Sequence, residues 1–208
     1  MRFHRNISFA VIDALMAIFN EGEYADKVVA RALKLDKRWG SSDRKFVAET
    51  IYDIVRWKRL YAEIAEIKKE PFDRDGIWRM FAVWATLKGH TLPDWKYFEG
   101  TPVRKIKGKF DELSKDRKFK ESIPDWMDEI GVKELGETIW SKEITAQNEP
   151  AKVILRTNTI RTTKEALKQE LLQLDIHTKV LPDYPEALEL DERANVFMTD
   201  AFKNGMFE

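Results

Sequence analysis

Up to residue 148 the apolar residues of this chain step by three and four, and past Pro150 they stop doing so. Ile7, Ala10, Val11, Ala14, Leu15, Ile18 and Phe19 set the first such stripe, which predicts an amphipathic helix over 4–20 ended by "EGE". A second helix over about 24–35 is expected to bury Tyr24, Val28, Ala32 and Leu35. Gly40, Ser41, Ser42 and Asp43 form a helix-start cluster before the stripe Phe46, Val47, Thr50, Ile51, Ile54, Val55 and Trp57, with a break expected before Leu60. Asp75 is the expected cap of a helix carrying Ile77, Phe81, Trp84 and Leu87 and stopped by Gly89. Basic "PVRKIKGKF" and the segments after Ser122 and Pro124 continue as helix, the last with Leu135, Ile139 and Ile144 turned inward.

After Pro150 the period falls to two. "KVILRTN" is a strand, "TTKEALKQELLQL" a short helix capped by Thr162 or Thr163, and "IHTKVL", "ALEL" and "NVFMT" are short strands. The expected fold is therefore mainly α: an all-helical bundle over 1–148, with linker helices from about 101, followed by a small α+β subdomain over 149–208. On the first strand Val153, Leu155 and Thr157 share one face, and Ile154, Arg156 and Asn158 share the other. Arg156 and Asn158 thus end a face that need not be core. There a guanidinium and an amide fit either an RNA contact or an ion pair and a turn cap.

Chemistry is narrowed mostly by what the sequence lacks. No cysteine is present, which removes disulfides, thiolate zinc sites and cysteine nucleophiles. His4, His90 and His177 have no second ligand at helical spacing, and the nine glycines are scattered, so neither a metal site nor a phosphate-cradling loop is expected. No apolar run approaches the roughly 20 residues of a membrane span, and the N-terminus is not a signal peptide, so the expected location is cytoplasmic. The 36 basic and 36 acidic residues cancel. They are nonetheless segregated, with bases in excess over 1–70 and 101–121 and acids over 122–150 and 181–208, which permits local basic faces on a neutral whole. "DRKF" and "VRWKRLY" supply Arg44, Lys45, Arg56, Lys58 and Arg59 beside Trp57 and Tyr61, a combination able to grip phosphates and stack on bases. The same pattern also suits a solvated helix face with its aromatics in the core.

Specific phrases add to this. "HRNISFAVIDALMAIFNEGEYADKVVARAL" and "SSDRKFVAETIYDIVRWKRL", with its D-R-x-F-x-x-E-x-x-Y-x-x-V-R core from Asp43 to Arg56, resemble the NusB-like N-terminal domain of the Sun/Fmu (RsmB-like) RNA cytosine-C5 methyltransferases. "SIPDWMDEIG", "TAQNEPAKVILRTNTIRTTKEAL" and "NVFMTDAFKNGMFE" resemble, in order, the segments leading into that family's catalytic domain. Residues 71–121 match least. The resemblance implies a NusB-like bundle, an RNA-recognition-like subdomain, structured (ribosomal) RNA as substrate and S-adenosylmethionine as methyl donor. It also implies a catalytic domain in cis with a glycine-rich donor loop and two cysteines. None of these last features occurs in the 208 residues, so the chain is expected to be an inactive recognition fragment without cofactor. The RNA-binding residues expected on this basis are Arg44, Lys45, Arg56, Arg59, Arg156 and Asn158. The alternative is a NusB-like adaptor acting through protein contacts, in which Arg44, Arg56 and Arg59 pair with Asp43, Glu49 or Asp53 instead of forming one exposed patch.

Overall fold

The computed structural model describes residues 3–208, which form two compact units divided between Asn148 and Glu149. The first is helical throughout, and the second is a small antiparallel sheet with helices, so the chain is mainly α with an α+β subdomain.

α1 (Arg5–Asn20), α2 (Ala25–Ala32) and α3 (Ser41–Arg56) follow the predicted stripes. Val28 and Ala32 are buried, but Tyr24 and Leu35 are exposed: Tyr24 is the N-cap residue, outside the first turn, and Leu35 lies beyond the C-terminal end of α2, which stops about one turn earlier than the periodicity suggests. At the start of α3 the Asp43 carboxylate accepts from the Gly40 N–H at 3.0 Å, which satisfies a donor the helix cannot. The helix breaks at Trp57, whose backbone leaves the helical region at φ −96° and ψ 23°, and α4 (Lys58–Ile64) follows. α5 (Arg74–Leu87) is capped by Asp73, not Asp75: the Asp73 Oδ1 accepts from Gly76 N at 2.6 Å, and Asp75 lies inside the first turn. α5 is the central helix. Ile77, Trp78, Met80, Phe81 and Ala85 are almost wholly buried, packed among Val11, Ile12 and Leu15 of α1 and Val47, Ile51 and Ile54 of α3. Each large side chain removed from water here contributes about 1.5–3 kcal/mol.

α6 (Val103–Leu113) and the short α7 (Arg117–Lys120) lead to α8 (Asp125–Leu135) and α9 (Glu137–Asn148). α8 and α9 do not run on as one helix, because Gly136 at φ 76° turns the chain. This places Leu135 and Ile139 in solvent and leaves Trp140 and Ile144, with Ile123, as a small separate core. A charged knot closes that core: Asp128 Oδ1 accepts from Trp140 Nε1 and Arg117 Nε, each at 2.8 Å. The guanidinium of Arg117 holds the Asp128 carboxyl below its ordinary range.

In the second unit β1 (Ile154–Arg156), β2 (Thr178–Val180) and β3 (Ala187–Leu190) make an antiparallel sheet of order β1-β3-β2, with α10 (Lys164–Gln173) between β1 and β2. Thr163 caps α10 by accepting from Ala166 N at 3.2 Å. "NVFMT" is a 3-10 turn rather than a strand; Val196 is buried, Phe197 and Met198 are exposed, and the short α11 (Asp200–Lys203) follows. Leu155, Leu167, Leu171, Leu188 and Leu190 form the core.

Candidate nucleic-acid interface

The break at Trp57 decides where the cations of α3 and α4 go. Arg44 is half-buried and turned back on its own helix start, donating to the carbonyls of Leu33, Trp39 (3.1 Å) and Asp36 (3.4 Å). It ties the last carbonyls of the α2 region to α3, which is a structural task. Arg59 points toward the α7–α8 junction, donating to Ile123 O at 2.6 Å and Asp125 Oδ1 at 2.8 Å, with its guanidinium over the Phe119 ring. The bond from Arg59, with help from Lys118, holds the Asp125 carboxyl low. Tyr61 is buried, its hydroxyl on Asp53 at 3.3 Å; burial and then the Asp53 charge push that hydroxyl's pKa up. Neither arrangement foreseen for the arginines occurs: Arg44, Arg56 and Arg59 do not share one exposed patch, and none pairs with Asp43, Glu49 or Asp53.

Of these three arginines, Arg56 is the one with no carboxylate or buried carbonyl cluster holding it among the described residues. It is exposed, and its guanidinium contacts only neutral acceptors at the C-terminal end of α9, Asn148 Oδ1 at 3.2 Å and Gln147 O at 3.4 Å. Two grooves meet at it. One, of about 460 Å³, is lined by Arg56, Lys58, Arg59, Lys68 and Lys69 against Glu63 and Glu70, with Phe72 and Pro124 beneath. Lys58 sits over the Phe72 ring and pairs with Glu70 at 2.5 Å. Lys68 and Lys69 are exposed, and among the described residues neither is paired with a carboxylate. Sequence reasoning missed these two lysines. Their signal, "IKKEP" beyond the helix, carries no periodicity and resembles any solvated turn. The other groove, of about 680 Å³, runs along α3 and includes Lys45, Tyr52, Arg56, Trp84 and Lys88. Lys45 is exposed beside Glu49, one turn away at 3.8 Å.

Arg156 and Asn158 lie in the other unit, at the edge of its sheet. Alternation along β1 is as expected: Leu155 and Thr157 are buried and Ile154 and Arg156 exposed. Residues 206–208 pair against that edge, with Arg156 N donating to Glu208 O at 2.8 Å and Asn158 N to Met206 O at 2.8 Å. The Arg156 guanidinium is paired with the Glu208 carboxylate, not with a helix residue. Asn158 donates from Nδ2 to Gly205 O at 2.9 Å and accepts from Ile160 N at 3.2 Å, so its amide holds both the turn after β1 and the returning strand. Arg156 keeps about two thirds of its side chain in solvent and lines a shallow hollow with Asn158, Thr159 and Glu186. Among the described residues no group of His, Cys, Asp and Glu is placed to hold a metal ion, and no helix is long and apolar enough to cross a membrane.

Residues 123–197 match the family model for the RsmF/B-like methyltransferase ferredoxin-like domain. The match takes in α8 and α9 as well as α10 and the three strands, and so spans the division between the two units. The chain is also similar to the crystal structure of PH0851, with a TM-score of 0.61 and 18% identity, over 100% of this chain and 53% of that one. The likeness at that identity is one of fold, and this chain spans about half the length of PH0851. A search of curated proteins found no significant match. The domain match bears out the resemblance to the Sun/Fmu (RsmB-like) methyltransferases.

Proposed function

We propose that this chain is the part of an S-adenosylmethionine-dependent RNA cytosine-C5 methyltransferase that holds structured, ribosomal RNA, its first unit being a NusB-like bundle. What carries the reading is the RsmF/B-like domain in the same chain as a groove where Arg56, Lys68 and Lys69 face solvent without a carboxylate partner among the described residues. Such a groove suits backbone phosphates, which position an RNA without reading its sequence. Arg44 and Arg59 then contribute by fixing the helices that present the groove, and Lys45 by its exposure in the neighbouring groove along α3. Arg156 would exchange Glu208 for a phosphate, with Asn158 holding the strand that carries it. The 208 residues contain no cysteine, so attack on the base by a thiolate belongs to residues other than these. In the proposal the donor S-adenosylmethionine is likewise bound outside them.

The test is fluorescence anisotropy with a ribosomal RNA hairpin across a salt series. Each lost phosphate contact lowers the slope of log affinity against log salt by about 0.7–0.9. Combined Arg56→Ala, Lys68→Ala and Lys69→Ala is therefore expected to flatten the slope by about 2–3. Binding that neither salt nor the triple substitution weakens overturns the proposal.

A further inference from the structure

The aromatics that the sequence placed beside the cations are not the accessible ones. Tyr61 is buried, and Trp57 sits at the break between α3 and α4 with part of its surface covered. The exposed aromatic of this region is Tyr52, 46% exposed, one helical turn before Arg56 on the same face of α3. It lines the groove along α3, and its hydroxyl makes no hydrogen bond among the described residues. Lys45 lies two turns back along that face, and Lys88 stands at the groove as well. The two acids of the stretch are matched, Glu49 by Lys45 and Asp53 by Lys88 at 3.1 Å, which leaves the charge on Arg56 uncompensated.

The two grooves that share Arg56 therefore differ in kind. The basic one offers cations but no open ring, since Phe72 is only 5% exposed. The one along α3, of about 680 Å³, offers an open ring beside the apolar side chains of Phe46 and Trp84. Phosphate contacts alone need no aromatic. A ring flanked by cations is the arrangement that takes the flat face of an unpaired base while the strand on either side is gripped by charge. A paired base inside a helix presents no such face.

We infer that Tyr52 is a stacking platform for an unpaired base of the bound RNA, with Arg56 and Lys45 on the flanking phosphates. The inference rests on the RNA-binding proposal and goes beyond it by specifying unpaired rather than duplex RNA at this groove. It is tested with two RNAs of equal length, a hairpin with a single bulged 2-aminopurine and the same hairpin fully paired. Tyr52→Ala is expected to weaken binding of the bulged RNA by about ten- to a hundred-fold and to abolish quenching of its 2-aminopurine. Affinity for the paired RNA and the salt slope stay as in the wild type, because no phosphate contact is lost. Tyr52→Phe retains the ring and the tight binding, whereas Arg56→Ala weakens both RNAs. If Tyr52→Ala binds the bulged RNA like the wild type while Arg56→Ala weakens it, this inference fails and RNA binding stands. If the wild type binds neither RNA, both fall.

Discussion

Gly131 lies in α8 directly against the indole of Trp140, and replacing it by alanine sets two opposing effects against each other. A Cβ at residue 131 would lie 2.2, 2.3 and 2.6 Å from three ring atoms of Trp140, a side chain only 8% exposed. The indole cannot swing aside as a flexible chain would. Moving it stretches the 2.8 Å bond from Trp140 Nε1 to the ionised Asp128. Overpacking costs about 1–3 kcal/mol, and a hydrogen bond to a charged group about 1.5–3. Against this, alanine is favoured over glycine within a helix by about 1 kcal/mol. Gly131→Ala is thus expected to destabilise the α8–α9 pair by about 2–4 kcal/mol. Gly108 in α6 is the control, since an added Cβ there meets nothing within 4 Å. Gly108→Ala should stabilise by about 1 kcal/mol. Urea unfolding followed by circular dichroism measures both, and amide exchange across 125–148 localises the first. In a Trp140→Ala background the penalty should vanish and leave only the helix gain, a coupling of about 3–5 kcal/mol, at or above the upper end of the range that contacting residues show. A neutral or stabilising Gly131→Ala in the wild-type background would refute the steric reasoning.

Three further outcomes are expected. Arg44→Lys should cost nearly as much as Arg44→Ala, about 2 kcal/mol by urea unfolding, because an ammonium cannot reach three carbonyls the way the planar fork does. Asn158→Ala should speed amide exchange at Asn158, Ile160 and Glu208 while leaving α10 protected, with a loss of about 1–2 kcal/mol in the second unit. Acid below about pH 4 should loosen the α7–α9 region. Asp128 and Asp125 have folded pKa values below their unfolded ones, so their stabilisation is complete above about pH 4 and is lost as pH falls through the lowered values. Asp128→Asn should remove most of that pH dependence from the exchange rates of α8 and α9.

How much was legible beforehand varies residue by residue. Val11, Ile51 and Phe81 are buried where the three-and-four spacing placed them, and the faces of β1 alternate as a period of two requires. Tyr24, Leu35, Leu135 and Ile139 have the right spacing and are nonetheless exposed, because Tyr24 stands at the N-cap of α2, Leu35 lies past its end, and Gly136 turns the chain between α8 and α9. "NVFMT" has strand composition and makes a 3-10 turn, since strand propensity measures fit to a pleated surface and no strand neighbour is there to supply one. Of the candidate RNA-binding residues, Arg56 and Lys45 are the ones on open groove surface in the helical unit, and Lys68 and Lys69 join Arg56 from a segment with no pattern to flag it.

The sequence by itself determined the change from helical to pleated structure near Pro150, the inward stripes of α1, α3 and α5, and the lack of any thiol for chemistry. Those properties follow from which residue types stand a few positions apart. Only the tertiary structure decided which cations are free. Arg59 is engaged by Ile123 and Asp125, more than sixty residues away, and Arg156 by Glu208, while Arg56 meets only neutral acceptors. A guanidinium takes whichever acceptor folding brings within about 3 Å, and that is set by remote packing rather than by neighbours in the chain.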